Sequence, residues 1–114
     1  MTEALDRLLE RQRANGRTLL YRDAANGLDL DPPGVIGQLA EMLEQTMEQD
    51  AAAGKPFRAA LIVGKPGIPR PGFFQKARSL GCYDGPDDGP EAQDWHAQQL
   101  EQLMAESGDH KPVR

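Results

Sequence analysis

The sequence predicts one α+β domain that is mainly helical, with a short β-hairpin and an added C-terminal helix. Three observations lead to this class. The chain has 114 residues, which is enough for one hydrophobic core without disulfides or a metal. Apolar residues recur at helical spacing in several segments that end at glycine. Between those segments lie short apolar runs without helical periodicity, which are typical of strands.

The N-terminal segment predicts one helix and one short strand. Thr2 can cap a helix that runs to about Ala14, because its hydroxyl accepts from the exposed amides of the first turn. Asn15 and Gly16 then end the helix, since both residues tolerate the left-handed conformation of a C-terminal cap. Residues 18–21 form a short apolar run that suits one small strand.

Two helices separated by a turn follow in the middle of the chain. Residues 22–26 predict a short helix, and residues 27–30 predict the turn. Asp31 and the two prolines after it mark the start of the second helix, because the carboxylate can cap it and proline suits the first turn. This helix is expected to end at about Ala53, before Gly54. Its inward stripe recurs every three or four residues and comprises Ile36, Leu39, Leu43 and Met47.

A β-hairpin and two helices complete the predicted domain. Residues 57–63 are apolar and contain no helix breaker, so we expect a buried strand. After a turn at residues 64–67, residues 68–71 return beside it as an edge strand, because their prolines cannot donate to a ladder. A short helix over residues 73–80 follows, then a loop, then a helix over residues 90–105. The apolar members of this last helix are Trp95, Leu100, Leu103 and Met104.

The sequence indicates a cytoplasmic protein. We assign residues 1–106 to the domain and residues 107–114 to a flexible C-terminal tail. The first residues include Glu3 and Asp6 where a secretory signal would be basic and then apolar, and no apolar stretch is long enough to cross a bilayer. A single cysteine, Cys82, fits a reducing compartment.

The order of elements from Tyr21 onward resembles a winged-helix domain of the helix-turn-helix class, with residues 57–74 as the wing. The matching positions are Ala25 where the two helices of the motif cross, Leu28 and Leu30 beside the turn, and Val35 early in the second helix. Asp29 occupies the turn position where such families usually have glycine. The resemblance implies a fold that commonly binds DNA by placing its second helix in the major groove.

The charge of that second helix argues against the usual docking mode. The helix contains no Lys or Arg, and Gln38 is the side chain on its early turns that offers an amide to a base edge. Its acidic residues would repel phosphates where binding normally gains affinity by neutralising them. They are Asp31, Glu41, Glu44, Glu48 and Asp50.

Charge is strongly segregated along the chain. Residues 1–54 hold five basic and ten acidic residues, whereas residues 55–78 hold six basic residues and no acidic one. Residues 79–114 hold two basic and eight acidic residues. One interpretation is that the basic segment and the acidic last helix neutralise each other within the fold. The other is that the segment meets an anionic partner, with Lys65 and Arg70 at the hairpin tip. The candidate partner-binding residues are Arg58, Lys65, Arg70, Lys76 and Arg78.

The sequence offers no constellation for catalysis, for a cofactor or for a metal. Cys82 has no nearby His or basic pair that would lower the pKa of its thiol. His96 stands alone on the last helix, where a packing or surface role is more common than catalysis. Two histidines and one cysteine do not form a zinc site, and the acidic residues at 84–91 fail the spacing of a calcium loop.

Two functional hypotheses follow. The first is a non-enzymatic protein-interaction or regulatory module on a winged-helix-like scaffold, with a protein partner or a second copy of itself in a homodimer. Met42 and Met47 are adaptable apolar side chains for such a helix-to-helix contact. The alternative is a nucleic-acid-binding protein of the transcription-regulator type, which contacts phosphates through the basic wing.

Overall fold

Helices dominate the structure. The computed structural model describes residues 3–65 and 67–108, with side chains as far as residue 105. In chain order the elements are α1 (Glu3–Asn15), β1 (Leu19–Leu20), α2 (Tyr21–Leu28), α3 (Val35–Ala53), a 3₁₀ turn (Arg58–Leu61), β2 (Ile62–Val63), α4 (Pro71–Ser79) and α5 (Gly89–Gly108). The predicted mainly helical α+β class is therefore confirmed.

Most helix ends lie close to the predicted positions, because capping is a local property. α3 ends at Ala53, and Gly54 follows with φ of 70° and donates its N–H to the carbonyl of Ala51. α5 continues to Gly108, two residues into the segment expected to be a flexible tail. The rest of that predicted tail, residues 109–114, lies outside the described residues.

The start of α3 differs from the prediction. Asp31 does not cap the helix, which begins at Val35 after Gly34 and has no side-chain cap. A residue that precedes proline is disfavoured in the helical region, so the segment with two prolines stays outside the helix. The side-chain amide of Gln38 reaches back to this segment and donates to the carbonyls of Asp31 at 2.8 Å and Pro33 at 3.1 Å.

The predicted hairpin wing is wrong. The residues expected to form one strand instead form the 3₁₀ turn and then β2, and β2 pairs in parallel with β1. Leu19 pairs with Ile62, and Leu20 pairs with Val63. The chain does turn back after β2, since Gly64 donates its N–H to Ile68 at 2.9 Å, but the prolines of this segment cannot extend a ladder. The apolar residues of this run are buried, as predicted. The type of element was not predicted correctly, because an apolar run this short has no periodicity that separates a strand from a helical turn.

The core lies where α3 packs on α2, on the 3₁₀ turn and on α4, while α1 packs on α5 and the same turn. The predicted stripe of α3 is confirmed for Leu39, Leu43 and Met47, whereas Ile36 is half-buried. Trp95 is half-buried and stacks on the ring of Tyr83 with centroids 4.4 Å apart. Side chains that are almost fully buried include Leu5, Leu9, Leu61, Ile62, Phe74 and Leu103.

The turn between α2 and α3 has left-handed geometry. Asp29 adopts φ of 56° and ψ of 45°, at the position where the winged-helix resemblance would place glycine. Ala25 is buried, and Leu28, Leu30 and Val35 are half-buried against the core.

Within residues 3–65 and 67–108, no helix combines the length and the apolar composition that crossing a bilayer requires.

Candidate functional site

A groove of two adjoining cavities lies where α3 faces the segment that leads into α4. The first cavity, the apolar pocket, has a volume of about 330 Å³, and its walls include Leu43, Met47 and Phe73. The second cavity, the cationic pocket, has a volume of about 220 Å³ and includes three basic side chains. Tyr21 and Arg70 line both cavities, so the two adjoin at this pair of residues, and we refer to them together as the groove.

The parallel pairing of β1 and β2 brings the two sides of the groove together. Tyr21 directly follows β1, and Gly64 directly follows β2, so both lie at the carboxyl edge of the small sheet. Arg70 immediately precedes α4 and donates its backbone N–H to the hydroxyl oxygen of Tyr21 at 3.2 Å. The guanidinium of Arg70 lies 5.7 Å from the centroid of the Tyr21 ring, which is a cation–π distance.

The hydroxyl of Tyr21 is a hydrogen-bond donor toward the groove. Burial raises the pKa of Tyr21 above its usual value, although the hydrogen bond and the charge of Arg70 partly oppose this, so the phenol stays protonated at neutral pH. The phenol oxygen already accepts from Arg70. Among the described residues, the phenol donates no hydrogen bond, so a ligand in the groove can accept from it.

Three of the five predicted partner-binding residues form ion pairs within the fold. Arg58 donates through Nε to Asp50 at 3.0 Å and through Nη1 to Asp6 at 3.3 Å. Lys76 Nζ donates to Glu48 at 2.6 Å. Arg78 donates to Asp87 at 2.5 Å and to the Gly85 carbonyl at 2.8 Å. The interpretation of internal neutralisation therefore applies to these three residues, but the acidic partners lie on α1, on α3 and in the loop of residues 80–88 rather than on the last helix.

Lys65 and Arg70 are the two predicted residues that lack such pairing. Both are exposed, and both line the cationic pocket. Arg22, also exposed, is the third basic side chain there. Among the described side chains, which are those of residues 3–65 and 67–105, no carboxylate oxygen lies within 4.0 Å of the charged groups of these three residues. Sequence reasoning missed Arg22 because it belongs to the acidic N-terminal block, and only the fold places it beside the basic segment.

The acidic side chains of α3 are partly neutralised by the basic segment. The hydrogen bond to Glu48 raises the pKa of Lys76, and the charge of Glu44 acts in the same direction. Asp50 is buried against Arg58. Gln38, the amide expected to be available to a base edge, holds the 31–33 segment instead. The helix therefore offers less repulsion than its sequence suggests, and its predicted base-reading amide has internal partners.

The other described cavities have different linings. One includes Asp50 and Arg58, whose charged groups bond to each other. Two adjacent cavities share Cys82, Tyr83 and Asp84, and α5 adds two acidic side chains to one of them. The cavity to which α5 contributes has the rings of Tyr83 and Trp95 beside three carboxylates, so its charge is negative. The groove around Tyr21 and Arg70 instead combines an apolar wall with positive charges that have no carboxylate partner.

His96 and Cys82, the side chains that could suggest catalysis, do not line the groove. His96 is buried, with Nε2 2.8 Å from the Ala60 carbonyl oxygen, and burial lowers its pKa. Cys82 is exposed, with Sγ 3.8 Å from the Leu80 carbonyl oxygen. No group of three or more His, Cys, Asp or Glu side chains suited to a metal ion occurs among the described residues.

No protein-family model, curated protein or solved structure shows significant similarity to the chain.

Proposed function

We propose that the chain is a non-enzymatic protein-interaction module on a mainly helical scaffold, and that the groove is its binding surface. The observation that supports this proposal is the grouping of three unpaired cations and a free phenol proton beside an apolar pocket. Protein interfaces typically combine an apolar centre with aromatic and arginine side chains that supply most of the binding energy. Tyr21 and Arg70 occupy the junction of the two pockets and supply both side-chain types.

The composition of the groove suits binding better than catalysis. The described residues that line its two pockets include no His, Cys, Ser or Thr, so they contain none of the Ser–His or Cys–His pairs of nucleophilic catalysis. The hydrogen bond from Arg70 to Tyr21 connects the start of α4 to the start of α2. A surface held in this way loses little conformational entropy when a partner binds.

Site-specific photo-crosslinking in the native cell tests the proposal. With p-benzoylphenylalanine in place of Ile36 or Ala40, which line the groove and carry no charge, we expect covalent adducts that protease removes and nuclease does not. Position 93 is the control, because Gln93 is an exposed residue on α5 outside the groove. The partner can be a second copy of the chain, in which case the adduct has the mass of a dimer. Equal adduct yields at positions 36 and 93 would contradict the proposal.

Nucleic-acid binding is a second candidate, favoured by the same three unpaired cations. Phosphate binding through Arg22, Lys65 and Arg70 predicts that the logarithm of the affinity falls linearly with the logarithm of the salt concentration. Anisotropy of a labelled DNA duplex measures this dependence. Lys65→Glu with Arg70→Glu would abolish such binding, whereas Lys76→Gln, at a residue paired with Glu48, would leave it largely unchanged. Failure to bind at about 50 mM salt rejects this candidate.

A further inference from the structure

We infer that the partner segment taken by the groove is an extended peptide that carries an apolar side chain next to carboxylates. The inference rests on the proposed function and names the class of partner. It derives from one juxtaposition, an apolar pocket and a cationic pocket that share Tyr21 and Arg70. Alternate side chains of an extended chain point to the same face, so a chain that crosses this pair of residues can place side chains two positions apart in the two pockets.

The cationic pocket selects the acidic part of the peptide. Arg22, Lys65 and Arg70 are exposed and have no carboxylate partner among the described residues. A charge-assisted hydrogen bond to a carboxylate is stronger than one between neutral groups, and Arg can form two such bonds with one carboxylate. The phenol proton of Tyr21 adds a neutral donor at the boundary between the pockets. All these groups require an acceptor, and an ionised carboxylate supplies only acceptors.

The apolar pocket selects the side chain that precedes or follows those carboxylates. Leu43, Met47 and Phe73 line this pocket and belong to the packed core, so an apolar side chain placed against them leaves water and contacts an apolar wall. Glu44 also lines this pocket, and it would repel a second carboxylate placed there. The peptide therefore has its acidic residues on the side of the cationic pocket alone.

The same contrast favours a peptide over a nucleic acid. A phosphate backbone would satisfy the three cations, but it has no apolar side chain for the pocket formed by Leu43, Met47 and Phe73. It would also bring repeated negative charge toward Glu44. An acidic peptide with one apolar side chain satisfies both pockets at once.

Fluorescence anisotropy with defined peptides tests the inference on the full chain. The probe is a fluorescein-labelled synthetic peptide in which one phenylalanine is followed by a short run of glutamates. Two matched peptides serve as controls, one with serine in place of phenylalanine and one with glutamines in place of the glutamates. We expect the probe to bind saturably and each control peptide to bind at least about tenfold more weakly.

Two variants test whether the peptide binds in the groove. Gly72→Leu introduces a side chain into the apolar pocket, where a Cβ on Gly72 would meet no atom within 4 Å. Arg70→Gln removes the guanidinium while keeping the backbone N–H that bonds to Tyr21. Each variant should weaken probe binding by about tenfold. Gly37→Leu is the matched control for the first, because Gly37 is exposed on α3, has the same open surroundings and lines neither pocket. Lys76→Gln is the control for the second, since Lys76 is paired with Glu48.

Each alternative outcome has a definite meaning. The inference is overturned if the serine peptide or the glutamine peptide binds as tightly as the probe. It is also overturned if Gly72→Leu and Arg70→Gln leave binding of the probe unchanged. Displacement of the probe by a DNA duplex at lower concentration than by unlabelled peptide also overturns it, in favour of nucleic acid. If no peptide binds while crosslinking at position 36 still captures a protein, this inference fails and the proposed function stands. If both experiments fail, both proposals are overturned.

Discussion

The imidazole Nε2 of His96 lies 2.8 Å from the carbonyl oxygen of Ala60, and both residues are buried. Because a carbonyl accepts only, Nε2 bears the proton in this arrangement. On the next turn of α5, the side chain of Gln99 is the acceptor, because the backbone N–H of Phe57 donates to its Oε1 at 2.8 Å. Two polar side chains of α5 therefore satisfy backbone groups at the buried 3₁₀ turn. This packing role accounts for a histidine that could otherwise suggest catalysis.

His96 should make stability depend on pH. Burial lowers the pKa of His96 in the folded chain, and the hydrogen bond to Ala60 only partly opposes this. Unfolding restores the ordinary pKa, so the unfolded chain binds the proton more readily. The free energy of unfolding should be unaffected by this group above about pH 6.5 and should fall as the pH drops below that value. Urea unfolding at about pH 7.5 and about pH 5.5 measures the difference. In the variant His96→Phe, this part of the pH dependence of the free energy of unfolding should be absent. If the pH dependence is the same in the variant, it arises from other titratable groups.

Asp50 should be more important for stability than the other acidic residues of α3. Its carboxylate is buried and accepts from the backbone N–H of Arg58 at 2.9 Å and from Arg58 Nε at 3.0 Å. Asp50→Ala leaves these donors without their acceptor, and we expect a loss of about 2 to 3 kcal/mol in the free energy of unfolding. Glu48→Gln is the control, because its exposed pair with Lys76 should contribute little. Similar losses for the two variants in chemical denaturation would refute the ranking.

Two glycines near the start of α3 should respond to alanine in opposite directions. A Cβ on Gly37 would meet no atom within 4 Å, and the residue lies inside the helix, so Gly37→Ala should stabilise by about 0.5 to 1 kcal/mol. Gly34 also has open surroundings, but its φ is 77°, a conformation that costs an L-residue about 1 to 2 kcal/mol. Gly34→Ala should therefore destabilise. Thermal unfolding of the two variants, each compared with the parent chain, checks the two signs.

Gly85 should not tolerate alanine. A Cβ there would lie 2.5 Å from the hydroxyl oxygen and 2.7 Å from Cζ of Tyr83, a residue whose ring stacks on Trp95. The Tyr83 hydroxyl also donates to the Pro86 carbonyl at 2.7 Å, which holds the ring in place. We expect Gly85→Ala to cost about 1 to 3 kcal/mol and to change the fluorescence of Trp95, the single tryptophan of the chain. Gly72→Ala is the control, since a Cβ there meets no atom within 4 Å. Unchanged stability and fluorescence in Gly85→Ala would show that the loop relaxes freely.

Elements with local signals could be predicted from the sequence. The end of α3 at Gly54 and its stripe of Leu39, Leu43 and Met47 follow from capping and from helical periodicity, which act within a few residues. The strand pairing could not be predicted in this way. β2 has only two residues, and its partner β1 lies far away in sequence, so the apolar run at 57–63 was consistent with a hairpin that the structure does not contain.

By itself, the sequence determined that the chain is mainly helical, that the apolar residues at 57–63 are buried and that basic residues concentrate at 55–78. Only the tertiary structure decided which of those basic residues are neutralised. Arg58, Lys76 and Arg78 have carboxylates within reach, whereas Lys65 and Arg70 join Arg22 at the groove. The physical reason is that the interaction between charges depends on their distance in space and on the solvent around them, and neither is a function of spacing along the chain.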